Sequence, residues 1–208
     1  MMKTLLLASL LSGYTSCSEK QETSVPDPAW KKSKYSDMQN ISKLILMPQM
    51  GTRHYVYEGN SDDDYMLNTS YPFRCGAMIY QGKVDDGTRN AQRESKNITE
   101  QSLTENIARW VNLKPMNDTS EKVPTWMEVR DYGDTTFIFA NMSLVYSDYK
   151  TCALLQYNDT DKCEVWVYQK PEKEHKPTVC ELLHEYVCPN NITLYYQDGC
   201  YREKTMSS

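Results

Sequence analysis

The chain has 208 residues, a formal net charge of -5 and a pI near 5.3. This length allows one domain with a sizeable core, or a domain with an appendage. The acidic balance argues against nucleic acid and against an anionic membrane as partners, since neither would be attracted electrostatically. Sixteen tyrosines against three phenylalanines make the aromatic content amphipathic, which suits a half-polar pocket as well as an ordinary sheet surface.

Residues 1–17 have the pattern of a secretory signal peptide, with Lys3 before a short apolar run and small residues up to Cys17. Residues 18–27 are polar and predict a flexible mature N-terminus. No later stretch approaches the roughly 20 apolar residues of a membrane-spanning helix, so we expect a secreted, extracellular protein. A lipid-attached Cys17 of the bacterial type is the alternative, and the glycosylation signals described next argue against it.

Seven Asn-x-Ser/Thr sequons predict glycosylation in a eukaryotic secretory pathway, at Asn40, Asn68, Asn97, Asn117, Asn141, Asn158 and Asn191. Removal of Cys17 with the signal peptide leaves six cysteines, an even number that suits three disulfides. The cysteine spacings lack the close pairs of a structural zinc site, so we expect no bound metal.

Short strand-like runs separated by turns dominate the mature chain. Asp27 and Pro28 predict a cap and a first-turn proline for a helix near 28–38. Strands are predicted at 54–58, 73–81, 125–132, 135–142, 143–149, 152–157, 163–168 and 192–196, with a helix from Thr178 to Cys188. Residues 88–122 leave open a polar strand pair or a short helix near 103–112. The pattern predicts an all-β fold, an antiparallel meander closed as a barrel or sandwich.

The run from Cys163 to Tyr168 carries the best candidate for a ligand site. Because side chains alternate along a strand, Glu164 and Trp166 share one face with Tyr168, and Cys163 lies on the other. A carboxylate flanked by two large rings can hold a polar ligand. The alternative is that Glu164 is a solvated surface residue.

Three further segments stand out: AWKK at 29–32, HYVYEGNSDDDY followed by FRC at 73–75, and the stretch from Cys152 to Cys200. Together they resemble the tick salivary lipocalins, specifically the histamine-binding group that binds biogenic amines. The family motif is matched by Cys152-Ala153-Leu154, Glu164-Val165-Trp166 and Cys180. The resemblance implies an eight-stranded antiparallel lipocalin barrel over residues 28–208, with an N-terminal helix and a C-terminal helix packed outside. The disulfides that it implies are Cys75–Cys200, Cys152–Cys180 and Cys163–Cys188.

The resemblance also implies a function. A monomeric, secreted protein would sequester histamine or serotonin in its barrel and so suppress the host inflammatory response. The residues that it assigns to the amine are Glu164, Trp166, Asp64, Glu128 and Asp37. A protonated amine needs such carboxylates and ring faces to replace its hydration shell.

Two positions depart from the family pattern and keep other ligands open. Ala153 stands where the motif has an aspartate, and Ser61 stands where an aromatic residue precedes the loop acid. A single amine site is one reading of these changes. A lipid mediator such as a leukotriene or fatty acid, or a host immune protein bound outside the barrel, is another.

A catalytic role is not expected. His54, His175 and His184 are scattered, and the mature cysteines are all assigned to disulfides. The chain has no glycine-rich phosphate loop and no HExxH motif. We therefore predict a binding protein without a cofactor.

Overall fold

The computed structural model describes residues 33–67, 71–83, 86–99, 102–118, 121–158, 160–172, 175–188, 191–197 and 199–200. Side chains are described for all of these except 33–34, 97–99 and 102–105. The predicted signal peptide, the predicted flexible N-terminus and the sequon at Asn68 lie outside the described residues.

Eight antiparallel strands form a closed barrel. They are β1 (Arg53–Gly59), β2 (Ala77–Lys83), β3 (Arg89–Thr99), β4 (Ser102–Met116), β5 (Trp126–Asp131), β6 (Ile138–Ser147), β7 (Cys152–Tyr157) and β8 (Cys163–Val167). Each strand from β2 to β7 pairs with the next, and β1 closes the barrel by pairing with both β2 and β8. A two-residue strand, β9 (Thr193–Leu194), pairs with the end of β1. The predicted lipocalin barrel is confirmed.

Helices pack against the barrel at both ends of the described chain. The predicted N-terminal helix is a 3-10 helix over Ser33–Met38, followed by α1 over Ile41–Leu46. Residues 28–32 of the predicted helix lie outside the described residues. Asn40 caps the separate helix α1, with its Oδ1 accepting from the Lys43 amide at 3.1 Å. The predicted C-terminal helix is α2 (Val179–Val187), where the Thr178 amide donates to Glu181 Oε2 at 2.6 Å.

Residues 88–122, for which the sequence left open a polar strand pair or a short helix, contain a long hairpin. Its arms are β3 and β4, which pair from Arg89↔Leu113 to Thr99↔Ser102. Farther along, the two strands predicted for 135–149 are one strand, β6. Both differences lengthen the barrel wall without changing the fold.

The barrel has an inner and an outer apolar cluster. The inner cluster includes Val56, Met78, Leu113, Val129 and Trp166, all fully buried. The outer cluster lies under α2 and contains Cys152, Leu154, Cys163, Val165, Val167, Cys180 and Cys188. Disulfides Cys152–Cys180 and Cys163–Cys188 attach α2 to the neighbouring strands β7 and β8. The third disulfide, Cys75–Cys200, joins the segment before β2 to the tail.

The sequons differ in their surroundings. Asn117 and Asn191 are exposed, whereas Asn40 and Asn158 are half-buried. Asn141 lies within β6, opposite Glu128 of β5, and its side-chain oxygen is buried. Asn97 lies in β3, and its side chain is not described. Glycosylation at these positions stays a prediction.

Candidate functional site

Glu164 and Trp166 point into the barrel, as the strand alternation predicts. Trp166 belongs to the inner cluster, and only 4% of Glu164 is exposed. Val165 lies on the opposite face, in the outer cluster beneath α2. The alternative of a solvated Glu164 is therefore wrong.

Asp64 enters the same part of the barrel from the segment that follows β1. Its Oδ1 accepts hydrogen bonds from the amides of Met66 at 2.7 Å and Leu67 at 2.9 Å. These bonds fix a tight turn, and Met66 and Leu67 are buried in the inner cluster. The turn leaves Asp64 Oδ2 to accept hydrogen bonds from a side chain of another strand.

Arg93 of β3 lies between the two acids. Its Nε and Nη2 donate to Asp64 Oδ2 at 2.8 and 2.6 Å. Its Nη1 and Nη2 donate to Glu164 Oε2 and Oε1 at 3.1 and 2.7 Å. The side chain has no exposed surface. A guanidinium of this chain thus occupies the position where the resemblance places a ligand cation.

Two further donors complete the shell of Glu164. Tyr157 donates its hydroxyl to Oε1 at 2.7 Å, and Trp166 donates its indole N–H to Oε2 at 2.7 Å. Each of the two carboxylates then accepts four hydrogen bonds, which is about the number that a carboxylate can accept. No acceptor position remains for an added ammonium group.

The electrostatics of the cluster follow from its burial. Burial would lower the pKa of Arg93, but the charges of Asp64 and Glu164 raise it above its usual value, so the guanidinium stays charged. Burial raises the pKa of Asp64, and Arg93 opposes that shift while Glu164 adds to it. Burial also raises the pKa of Tyr157 well above its usual value, with Glu164 acting in the same direction, so Tyr157 remains a donor.

Aromatic rings cover the cluster. The Arg93 Cζ atom lies 4.5 Å from the centre of the Phe73 ring, and Phe73 contacts Tyr195 edge to face at 5.1 Å. The Tyr195 hydroxyl donates to the Ser61 carbonyl. Gly59 leaves room for Tyr195, since a Cβ there would lie 2.6 Å from its ring. These contacts shield the cation from water.

Two predicted site residues do not reach this cluster. Glu128 was expected in the cavity, but it lies on the outer face of β5 because Met127 and Val129 take the inner face. There its Oε2 accepts from Arg130 Nε at 2.8 Å. Asp37 is exposed on the 3-10 helix. Asp64, Glu164 and Trp166 are thus brought together without Glu128 and Asp37.

Ala153 faces inward, as expected for the position of the missing family acid. It is fully buried in the inner cluster and pairs with Trp166 across β7 and β8. A methyl group there leaves the neighbourhood of Trp166 apolar.

A cavity of about 390 Å³ opens at the end of the barrel next to α1. Its lining consists of Lys43, Leu44, Met47, Pro48, Thr52, His54, Asp148, Tyr149, Lys150 and Tyr168. His54 stacks on Tyr168 with ring centres 4.1 Å apart, and its Nδ1 lies 2.9 Å from the Tyr80 hydroxyl. Burial lowers the pKa of His54 to about 3, so the ring is neutral at physiological pH.

The rim of this cavity has an excess of positive charge. Lys43 and Lys150 are exposed, and Lys43 Nζ lies 4.2 Å from the centre of the Tyr149 ring. Asp148 is the acid of the rim, and its Oδ1 accepts from the amides of Lys150, Thr151 and Cys152 at 2.9, 2.8 and 3.1 Å. Its carboxylate is therefore committed to the turn between β6 and β7.

The sequence reasoning missed Arg93 and the place of His54 in a cavity. The signal for Arg93 was the alternation of Ala91, Arg93 and Ser95 along one face of β3, all of them buried. That signal is weak, because small and charged residues do not by themselves mark the inside of a barrel.

The family profile described as Tick histamine binding protein matches residues 30–202. The chain belongs to the tick histamine-binding protein family. No curated protein matches the chain significantly. The resemblance inferred from three segments is thus confirmed over residues 30–202.

Two solved structures have the same fold as this member of the tick histamine-binding protein family. The AM182 serotonin complex is 14% identical with a TM-score of 0.50, covering 78% of this chain and 92% of AM182. Japanin from Rhipicephalus appendiculatus bound to cholesterol is 12% identical with a TM-score of 0.51, covering 74% of this chain and 97% of japanin. At these identities the likeness extends to the fold alone.

Among the residues that the structure describes, no helix has the length and apolar character needed to cross a bilayer. Within the same residues, no group of three or more His, Cys, Asp or Glu side chains is arranged to hold a metal ion.

Proposed function

We propose that the protein sequesters a small mediator of the host inflammatory response outside the cell, and that this mediator is a lipid carrying an acidic group. Family membership and the lipocalin barrel support small-ligand binding. The observation that carries the choice of ligand is the complete occupation of Asp64 and Glu164 by donors of this chain.

A protonated amine would have to displace Arg93 to reach these acids. The guanidinium would then leave a site where it makes four hydrogen bonds and where no part of its side chain is exposed. The amine would compensate the two acids, but the buried guanidinium would lose both partners, and breaking a buried ion pair costs about 3–5 kcal/mol. Histamine or serotonin would have to recover that cost before any net binding, so both should bind weakly.

The cavity beside α1 suits an acidic lipid better. Its volume of about 390 Å³ lies within the range of small-molecule sites, roughly 300–1,000 Å³. Leu44, Met47 and the rings of Tyr149 and Tyr168 offer apolar walls. The lysines of the rim could pair with a carboxylate, whereas an ammonium group would be repelled.

The two structural neighbours hold an amine in one case and a neutral lipid in the other. The AM182 complex contains serotonin and the japanin complex contains cholesterol. The barrel therefore does not select the class of ligand, and the side chains of each protein must do so. In this chain those side chains favour the lipid.

Titration calorimetry of the secreted protein with arachidonate, histamine and serotonin tests the proposal. We expect binding of arachidonate and no detectable heat with either amine at micromolar protein. Lys43→Gln combined with Lys150→Gln should weaken arachidonate binding by roughly tenfold, the effect of losing about 1.4 kcal/mol. Lys162→Gln, on the loop between β7 and β8, is the matched control and should bind like the wild type.

An amine ligand is the second candidate, favoured by the carboxylate and ring that Glu164 and Trp166 present inside the barrel. Micromolar binding of histamine or serotonin to the wild type, lost in Glu164→Gln, would establish this candidate. The same result, without arachidonate binding, would overturn the lipid proposal.

A further inference from the structure

The cluster around Arg93 has the construction of an occupied cation site. Asp64 comes from the segment after β1, and Glu164 comes from β8. The guanidinium of Arg93 forms hydrogen bonds to both acids and joins these separate parts of the chain. Phe73 lies over its charged end at 4.5 Å.

We propose that Arg93 is an internal substitute for a ligand cation and is the residue that determines which ligands the barrel accepts. Without its guanidinium, Asp64 and Glu164 form a binding site for a small organic cation, either a primary amine or a guanidine. The inference rests on the geometry of this cluster and does not depend on the lipid proposed for the cavity beside α1.

The chemistry of the vacated site leads to this ligand class. Two buried carboxylates require a positive partner, because an uncompensated charge in the interior is strongly disfavoured. Asp64 Oδ2 and both oxygens of Glu164 would regain free acceptor positions, while Tyr157 and Trp166 would continue to hold Glu164 in place. The Phe73 face would then be free to contact the cation.

The outer wall of the barrel supplies a matched control. Arg130 and Glu128 also form an arginine–carboxylate pair, but both side chains are partly exposed on β5. Loss of the Arg130 guanidinium admits water to Glu128 and creates no enclosed site. A gain of cation binding should therefore follow Arg93→Ala and not Arg130→Ala.

Titration calorimetry with histamine and with methylguanidinium chloride tests the inference on the secreted protein. Each lost charge-assisted hydrogen bond corresponds to a roughly 10- to 100-fold change in affinity. We expect Arg93→Ala to bind both cations at least about tenfold more tightly than the wild type or Arg130→Ala. Adding Glu164→Gln to Arg93→Ala should remove the gain.

A folded Arg93→Ala variant with no gain for either cation would overturn the proposal. Where Arg93→Ala folds only when histamine or methylguanidinium is added, as judged by circular dichroism, that dependence supports it. If Arg93→Ala stays unfolded with either cation, the double variant Arg93→Met with Asp64→Asn is tested instead, because it leaves only one carboxylate of the buried pair. Tenfold tighter histamine binding by that folded variant supports the proposal, and its absence overturns it. None of these outcomes involves arachidonate, so each proposal can fail independently.

Discussion

Arg93 and Glu164 are 71 residues apart in the chain and meet inside the barrel through two parallel hydrogen bonds of 3.1 and 2.7 Å. Their strands, β3 and β8, are not neighbours, since β1 and β2 lie between them in the sheet. The pair therefore connects two separate parts of the barrel wall across its interior. Backbone hydrogen bonds cannot make this connection, because they join only adjacent strands.

Glu164→Gln should destabilise the protein by about 1–3 kcal/mol, because Arg93 stays paired with Asp64 but its two hydrogen bonds to Glu164 lose their charged acceptor. The free energy of unfolding in urea measures the effect. Glu128→Gln is the control, since its partner Arg130 is partly exposed, and it should cost no more than about 1 kcal/mol. Equal losses in the two variants would show that the Arg93 pair contributes no more than a surface pair.

His54 should make the protein less stable in acid. Burial lowers its pKa from 6.5 to about 3, so between these values the unfolded chain binds a proton that the folded chain does not. The free energy of unfolding should thus fall as the pH decreases from 6.5, by roughly 1 kcal/mol per pH unit. Above pH 6.5 His54 is neutral in both states and its protonation has no effect.

His54→Gln provides the comparison for this pH dependence. The free energy of unfolding in urea is measured for the wild type and for His54→Gln between pH 7 and 4. The difference between the two curves removes the contribution of the carboxyl groups, which both proteins share. The two curves should converge as the pH falls, since only the wild type carries the histidine penalty. Parallel curves would mean that His54 takes up its proton in the folded state.

The disulfides should contribute unequally to stability. Cys75–Cys200 closes a loop with a sequence separation of 125, against 25 for Cys163–Cys188. On the chain-entropy model the longer loop adds roughly 1 kcal/mol to the stabilisation of about 2–4 kcal/mol that a disulfide gives. In thermal unfolding, the double variant Cys75→Ala with Cys200→Ala should have a lower Tm than Cys163→Ala with Cys188→Ala. The reverse order would show that local packing outweighs loop closure.

Glycan occupancy should follow exposure. Asn117 and Asn191 are exposed and can accept a glycan without disturbing a strand. Asn141 lies inside β6, between β5 and β7, with its side-chain oxygen buried. Glycopeptide mass spectrometry of the protein expressed through a eukaryotic secretory pathway should find Asn117 and Asn191 modified and Asn141 unmodified. A glycan on most copies of Asn141 would contradict the packing of this wall.

The barrel was predictable because its strands repeat the alternation of apolar and polar residues, and the face of Glu164 followed from the same period. The resemblance assigned Glu128 to the ligand, but Glu128 lies on the outer face of β5 because Met127 and Val129 take the inner face. The alternation of apolar residues predicts the inner face of a barrel strand more reliably, because the register of a strand is set by which side chains are buried.

Arg93 could not be placed because it lies in the stretch where apolar residues are sparse. A buried arginine has no recognisable pattern in sequence, since what allows it to be buried is a pair of acids from distant segments. Asp64 and Glu164 were each recognised, but the sequence does not show that a third residue already joins them. The fold was therefore predictable from the chain, while the state of the site required its three-dimensional contacts.

The disulfide between Cys75 and Cys200 has a topological consequence for cleavage of the chain by proteases. Every peptide bond between these two residues lies inside a covalent ring. A single cut within the ring opens a loop without releasing a fragment, so the barrel can keep its strands in register while the chain is nicked. Release of any strand from β2 to β9 would thus need either a second cut or prior reduction of this disulfide, whereas β1 and Asp64 lie outside the ring and have no such protection. The redox state of the surrounding fluid therefore helps to determine how long the ring resists proteolysis.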